Sequence, residues 1–193
     1  MDRPNTSSGD PMKLDWRLMV PGGPLAPDAG PPISTSLTMA ETDQLRWLGA
    51  GADVLEIGSA YGYSTVALAS VSARVVAVDP HLDLGSLEIL KANLDAYEVA
   101  DRVDIRVGYS QDVLPALSAE GRQFDLVWID GDHQAHAVTH DVQWALRLLR
   151  EDGTLACHDY DEVTCPGVRQ ALDAWKPPPT LVDTLAIYRS GEW

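Results

Sequence analysis

The chain has 193 residues, 45% of them apolar and 22% charged, which is room for one domain with a real core but not comfortably for two. Its 29 acidic residues against 14 basic ones leave a formal net charge of −15. That balance speaks against nucleic acid or an anionic membrane as a partner, because both are bound through Lys and Arg.

No apolar run approaches the ~20 residues of a membrane span. The start, Met1-Asp2-Arg3-Pro4-Asn5, lacks the basic-then-apolar layout of a secretion signal, so a cytoplasmic protein handling a small molecule is expected. Residues 1–33 hold seven of the thirteen prolines, and such a segment forms neither a regular helix nor a sheet. It reads as an N-terminal arm or tail over residues 1–35, ahead of one domain over 36–193. Met12–Val20, with Trp16 and Leu18, is an apolar island within it. Docked on a neighbouring subunit, that island would make the protein a homo-oligomer.

From Ser36 onward, strand-like and helix-like blocks alternate. Asp53–Ile57 and Arg74–Asp79 read as short buried strands, and Tyr63–Val71 between them is a helix-sized connection. Leu84, Leu87, Leu90, Leu94 and Tyr97 recur at steps of three and four and form one apolar helical face. Val103–Gly108 is the next strand, Gln111–Glu120 the next helix, and Phe124–Asp130 an apolar strand ending in an acid. Val138, Val142, Ala145 and Leu149 mark a helix that stops near Glu151-Asp152-Gly153, where glycine suits a C-cap. Thr154–Asp159 is a further strand and Val168–Trp175 a further helix. The prolines Pro177-Pro178-Pro179 precede a final pair, Thr180–Thr184 and Leu185–Arg189. This alternation predicts an α/β fold, a doubly wound, mostly parallel sheet with helices on both faces.

In such sheets ligands sit beyond the carboxyl ends of the strands, and there the polar residues collect. The first strand runs into Gly58-Ser59-Ala60-Tyr61-Gly62-Tyr63-Ser64, where Gly58 permits a tight turn and Gly62 allows backbone to approach a ligand. The second ends at Asp79, placed to accept ribose hydroxyls or to cap the helix that follows. The others end at Gly108-Tyr109-Ser110-Gln111-Asp112, at Asp130-Gly131-Asp132-His133, and at His158-Asp159-Tyr160. The glycine spacing departs from Gly-x-Gly-x-x-Gly, so a mononucleoside ligand is expected rather than a nicotinamide dinucleotide. Cys157 and Cys165 lack Cys-x-x-Cys spacing, which excludes a zinc knuckle and suggests reduced thiols. His136 and His140 share a helical face with His133, and a solvated face is expected there. Tyr61, Tyr63 and Trp128 read as packing or cofactor-stacking residues.

Val54–Ser64 resembles the cofactor motif of class I S-adenosylmethionine-dependent methyltransferases, and Val76-Ala77-Val78-Asp79 resembles their ribose-binding strand. Gly108–Pro115 is similar to the adenine-contacting segment of the catechol O-methyltransferase group. Phe124–Tyr160 and Pro166-Gly167-Val168-Arg169 resemble the macrocin-type and cephalosporin-hydroxylase-like branch, which carries an expectation of natural product biosynthesis. The resemblance, over residues 36–189, implies a Rossmann-like fold with an antiparallel final strand and an O-methyltransferase acting on a small-molecule hydroxyl.

Carried onto this chain, it implies S-adenosylmethionine held by Glu56, Gly58, Ser59, Gly62, Tyr63, Ser64, Asp79, Ser110, Gln111 and Asp130. It also implies a divalent cation, Mg2+ in the family, at Asp130, His158 and Asp159. His158 stands where catechol-type enzymes have an oxygen ligand, and imidazole suits a transition metal better than Mg2+. The proton acceptor is His133, in the place of a family lysine, or Asp132, which alternatively caps a helix. Two other readings are a non-methylating cofactor-binding protein, cyclase or regulator, and a metal-dependent hydroxylase-like protein using His133, His158 and Asp159.

Overall fold

The computed structural model describes residues 33–174, 178–189 and 191. The island Met12–Val20, Trp16, Trp175, Pro177 and almost all of the N-terminal arm, with the oligomer contact ascribed to it, lie outside the described residues.

The chain enters the described region at Ile33 and Leu37, both buried, and turns into α1 (Met39–Gly49). Thr38 starts this helix with a reciprocal cap: its hydroxyl accepts from the Glu41 N–H, and the Glu41 carboxylate accepts from the Thr38 N–H. Such a capping box satisfies two backbone donors that a helix start otherwise leaves open. There follow β1 (Asp53–Ile57), α2 (Tyr63–Ala69), β2 (Arg74–Asp79), α3 (Ser86–Ala96), β3 (Val103–Val107) and α4 (Ser110–Ala119). The chain continues through β4 (Phe124–Ile129), α5 (Ala135–Leu148), β5 (Leu149–Cys157), α6 (Pro166–Leu172), β6 (Thr180–Val182) and β7 (Leu185–Arg189). No described helix is long and apolar enough to cross a membrane.

The strands form one sheet in the order β3-β2-β1-β4-β5-β7-β6. β1 through β5 run parallel to one another, and β7 is antiparallel to both β5 and β6. The expected doubly wound, Rossmann-like sheet with its antiparallel final strand is therefore present. Alternate side chains feed two cores. Leu55, Ile57, Val127 and Leu155 pack with Leu114, Val138 and Val142 of α4 and α5. Val54, Leu126, Trp128 and Ala156 pack with Leu45, Val66 and Leu90 of α1, α2 and α3. Strand order reverses between β1 and β4, and that reversal opens a crevice at their carboxyl ends.

α1 had no counterpart among the expected elements, because its buried face is Glu41, Thr42, Leu45 and Gly49 and shows no apolar stripe. Two expectations need correction. The α3 face does not include Leu84, which is fully exposed; Gly85 adopts a left-handed φ of 81° and the helix begins after it. The fifth helix ends at Leu148, and Leu149 already pairs with Phe124 in β5, with a register shift before Thr154 pairs with Leu126. Gly153 is thus a strand residue and not a C-cap. Arg150 explains the change, since its guanidinium bridges Asp53 at 2.8 Å and Asp125 at 2.6 Å and draws this stretch against the amino ends of β1 and β4.

Candidate active site

The loop after β1 is shaped by two glycines with different duties. Gly58 has φ 95°, and a Cβ on it would lie 2.2 Å from the Asp130 carbonyl oxygen. Only glycine lets β1 and β4 end so close together. Gly62, φ 92°, would put a Cβ 2.4 Å from Leu90 Cδ1, so it also lets α3 approach the loop. The Ala60 N–H between them donates to Asp79 Oδ2 at 2.9 Å. The other Asp79 oxygen accepts from the His81 N–H at 2.6 Å. The loop is thereby pinned to the end of β2.

Glu56 is fully buried behind this loop and accepts from the Ser64 hydroxyl. Burial pushes its pKa up to about 7, and Oε2 makes no hydrogen bond. It lines neither of the clefts that flank the loop.

The larger of these clefts, roughly 470 Å3, is lined by Gly58, Asp79, Gly108, Ser110, Gln111, Asp130, Asp132 and Asp141 among others. The smaller, roughly 220 Å3, is lined by Ser59, Gly62, Tyr63, Ser64 and the segment Ser34–Leu37. Gly58, Ala60, Tyr61 and Asp130 line both. The sequence reading missed Asp141. It is 2% exposed, burial raises its pKa, and its carboxylate meets His140 Nδ1 at 3.1 Å. An acid beside Val142 on the apolar face of α5 was the available signal.

A second constellation lies where β4 and β5 end. His158 Nδ1 stands 3.3 Å from both Asp130 Oδ1 and Asp159 Oδ1. His133 Nε2 stands 3.2 Å from Asp159 Oδ2 and 3.6 Å from Asp130 Oδ1. Neither ring nitrogen meets hydrogen-bond geometry despite these approaches. One donor atom each from Asp130, His158 and Asp159 lies within 4.8 Å of the others. Two carboxylates and an imidazole converging at ion-pair distance offer a donor set that suits a cation, so the three residues fit the metal that the family resemblance implies. Asp159 is held at φ 58°, a left-handed conformation that Asp tolerates better than most residues. Burial opposes charge on His158, yet Asp130, Asp159 and Glu41 push its pKa up to about 12. Asp130 beside His133 raises that imidazole as well.

Glu41 was also missed. It is 1% exposed, and its Oε2 lies 3.3 Å from His158 Nε2. Burial works against its charge, but bonds from His158, Thr184 and the Thr38 N–H hold its pKa down to about 2. The Thr-x-x-Glu spacing was legible as a cap, not as a partner for a residue 117 positions away.

The remaining candidates separate cleanly. Asp132 is exposed and its Oδ1 accepts from the Gln134 N–H at 2.9 Å, the turn that leads into α5. His136 is exposed and His140 half-buried. Trp128 is fully buried with its ring 5.7 Å from that of His158, and the Tyr63 hydroxyl meets Thr42 Oγ1 at 3.3 Å. A further cleft of roughly 410 Å3 runs from His133 and His136 to Cys165 and Gln170.

Comparison with known proteins bears on the family and the fold. A family model described as a methyltransferase domain matches residues 55–160. Catechol O-methyltransferase of Mycobacterium tuberculosis is 39% identical over 105 residues, covering 53% of this chain and 45% of that protein. Catechol O-methyltransferase of Niastella koreensis is 33% identical over 150 residues, covering 75% of this chain and 66% of that protein. The chain thus spans less than two thirds of the length of either relative. Among solved structures, an O-methyltransferase from Bacillus cereus in complex with SAH superimposes with a TM-score of 0.62 at 26% identity, covering 78% of this chain and 74% of that one.

Proposed function

The chain belongs to the methyltransferase-domain family, and from that premise we propose that it moves the methyl group of S-adenosylmethionine to a hydroxyl oxygen of a small molecule, assisted by a divalent cation at Asp130, His158 and Asp159. The observation that carries this reading is the position of Asp130, which lines both clefts of the glycine loop and also belongs to the His–Asp constellation. Methyl donor and acceptor can therefore meet at one residue.

In this reading the larger cleft takes the adenosine, with Asp79 toward the ribose and Ser110, Gln111 and Asp141 around the base. The smaller cleft takes the methionine end, against Ser59, Tyr63 and Ser64, with Glu56 behind the loop. The relative in complex with SAH supports that ligand class, and the relatives named catechol O-methyltransferase support a hydroxyl acceptor.

A sulfonium is already a good electrophile, so the protein chiefly holds nucleophile, methyl and sulfur in line. A divalent ion there would supply a Lewis acid that makes a neighbouring hydroxyl more acidic. The oxygen attacks the methyl carbon, the carbon–sulfur bond breaks, and sulfur leaves as a neutral thioether. His133 Nε2 takes the hydroxyl proton, since it faces the constellation while Asp132 is engaged in its turn.

The test uses methyl-labelled S-adenosylmethionine, 3,4-dihydroxybenzoate and Mg2+, Mn2+ or Co2+, with and without EDTA. Labelled product and S-adenosylhomocysteine should appear in equal amounts and vanish with EDTA. Failure of S-adenosylmethionine to bind in calorimetry overturns the cofactor assignment, and turnover indifferent to EDTA overturns the metal assignment.

A further inference from the structure

Glu41 reaches the constellation from a helix at the opposite end of the sequence, and all of its acceptor capacity is in use. Oε1 accepts from the Thr184 N–H at 2.9 Å and from the Thr184 hydroxyl at 2.7 Å. Oε2 accepts from the Thr38 N–H at 2.8 Å and stands 3.3 Å from His158 Nε2. A carboxylate fixed at four points cannot follow the imidazole; the imidazole must orient to it. With Nε2 committed to Glu41, Nδ1 is the ring atom left for Asp130 and Asp159. It reaches both at 3.3 Å without forming a hydrogen bond to either.

We propose that Glu41 is a positioning residue that fixes the ring orientation of His158 so that Nδ1 becomes a cation ligand, and that the site therefore takes a first-row transition-metal ion through one nitrogen and two carboxylates. The inference rests on the metal assignment made above and specifies its chemistry. Mg2+ favours an all-oxygen shell and gives up water reluctantly, whereas imidazole suits Fe, Co, Ni and Zn ions. A carboxylate behind a ligating imidazole raises its basicity and holds its direction, and losing such a partner typically costs ~10–100-fold in metal affinity.

The experiment titrates the full chain, without S-adenosylmethionine, with CoCl2 and separately with MgCl2 by calorimetry, then records the proton NMR spectrum of the Co2+-loaded protein. A hyperfine-shifted, slowly exchanging N–H signal is expected from His158 Nε2 sheltered by Glu41. Glu41→Gln keeps an acceptor for Thr184 but removes the charge. It should weaken Co2+ binding ~10–100-fold and speed exchange of that signal. Thr38→Ala removes the hydroxyl that caps α1 and leaves the backbone bond to Glu41, so it should lower the melting temperature without changing Co2+ affinity.

His158→Asn should lose the signal and narrow the preference for Co2+ over Mg2+ by at least ~10-fold. Equal Co2+ affinities in the wild type and Glu41→Gln overturn the positioning role, as do equal losses in Glu41→Gln and Thr38→Ala. An unchanged ion preference in His158→Asn overturns the nitrogen ligand while leaving the metal assignment standing. Absence of binding by either ion overturns that assignment itself.

Discussion

Gly58→Ala isolates the close approach on which the site depends. The new methyl group would lie 2.2 Å from the Asp130 carbonyl oxygen, 2.5 Å from its carbon and 2.7 Å from Gly131 Cα, where ordinary contact begins at 3.4 Å. These are backbone atoms, so no side-chain rotation relieves the overlap, and the end of β4 must retreat by about 1 Å in a tightly packed interior. The Asp130 N–H then loses its 2.8 Å bond to the Ile57 carbonyl, at about 1–2 kcal/mol.

The left-handed φ of 95° adds about 1–2 kcal/mol for a residue with a Cβ. The expected total is about 3–5 kcal/mol with overlap strain included, against a typical domain stability of about 5–15 kcal/mol. Gly51→Ala is the control, because Gly51 has φ 71° with nothing within 4 Å of a Cβ and should cost about 1–2 kcal/mol. Urea unfolding of both variants reads the difference, which amounts to a midpoint about 1 M lower for Gly58→Ala. Equal losses in the two variants, or unaltered S-adenosylmethionine affinity in Gly58→Ala, would refute the reasoning.

Two further outcomes are expected. His133→Asn should lower kcat by ~10²–10⁴-fold at saturating S-adenosylmethionine while leaving its affinity nearly intact, whereas Asp132→Ala should keep kcat within a few-fold; the reverse ranking would assign the proton to Asp132. Glu56 supplies a pH test. Its pKa is raised by burial from 4.5 to about 7, so the contribution of the protonated acid is complete below pH 4.5 and declines as pH rises to about 7. The stability of the wild type relative to Glu56→Gln should fall across that window by at most about 3 kcal/mol, and a flat difference in urea unfolding would remove Glu56 as the cause.

The parallel strands were legible because a strand buried on both faces shows as a continuous apolar run, as in Val75–Val78. Strand ends were legible for the same reason, since each run stops at polar residues, and so Asp79, Asp130, His158 and Asp159 stood out. What failed to show was position set by other elements. Leu149 carries the periodicity of α5, but Arg150, the next residue, pairs with two acids at the amino ends of β1 and β4 and the helix yields. Glu41 and Asp141 are buried acids on helices, and composition gives no hint of such partners across 143 and 31 intervening steps to Thr184 and Ser110.

The backbone ladder between β4 and β5 sets the scale of the constellation. Ile129 lies opposite Cys157, and the His158 N–H still bonds the Ile129 carbonyl at 3.0 Å, so the last rung is completed by a residue of the site. Adjacent strands keep a separation of about 4.8 Å, and the backbones of Asp130 and His158 inherit that interval from the sheet rather than from a loop. The sheet thus acts as a fixed jig and the side chains as exchangeable jaws. A single substitution at Asp130, His158 or Asp159 would therefore change the donor set of the constellation without any change in the backbone that carries it.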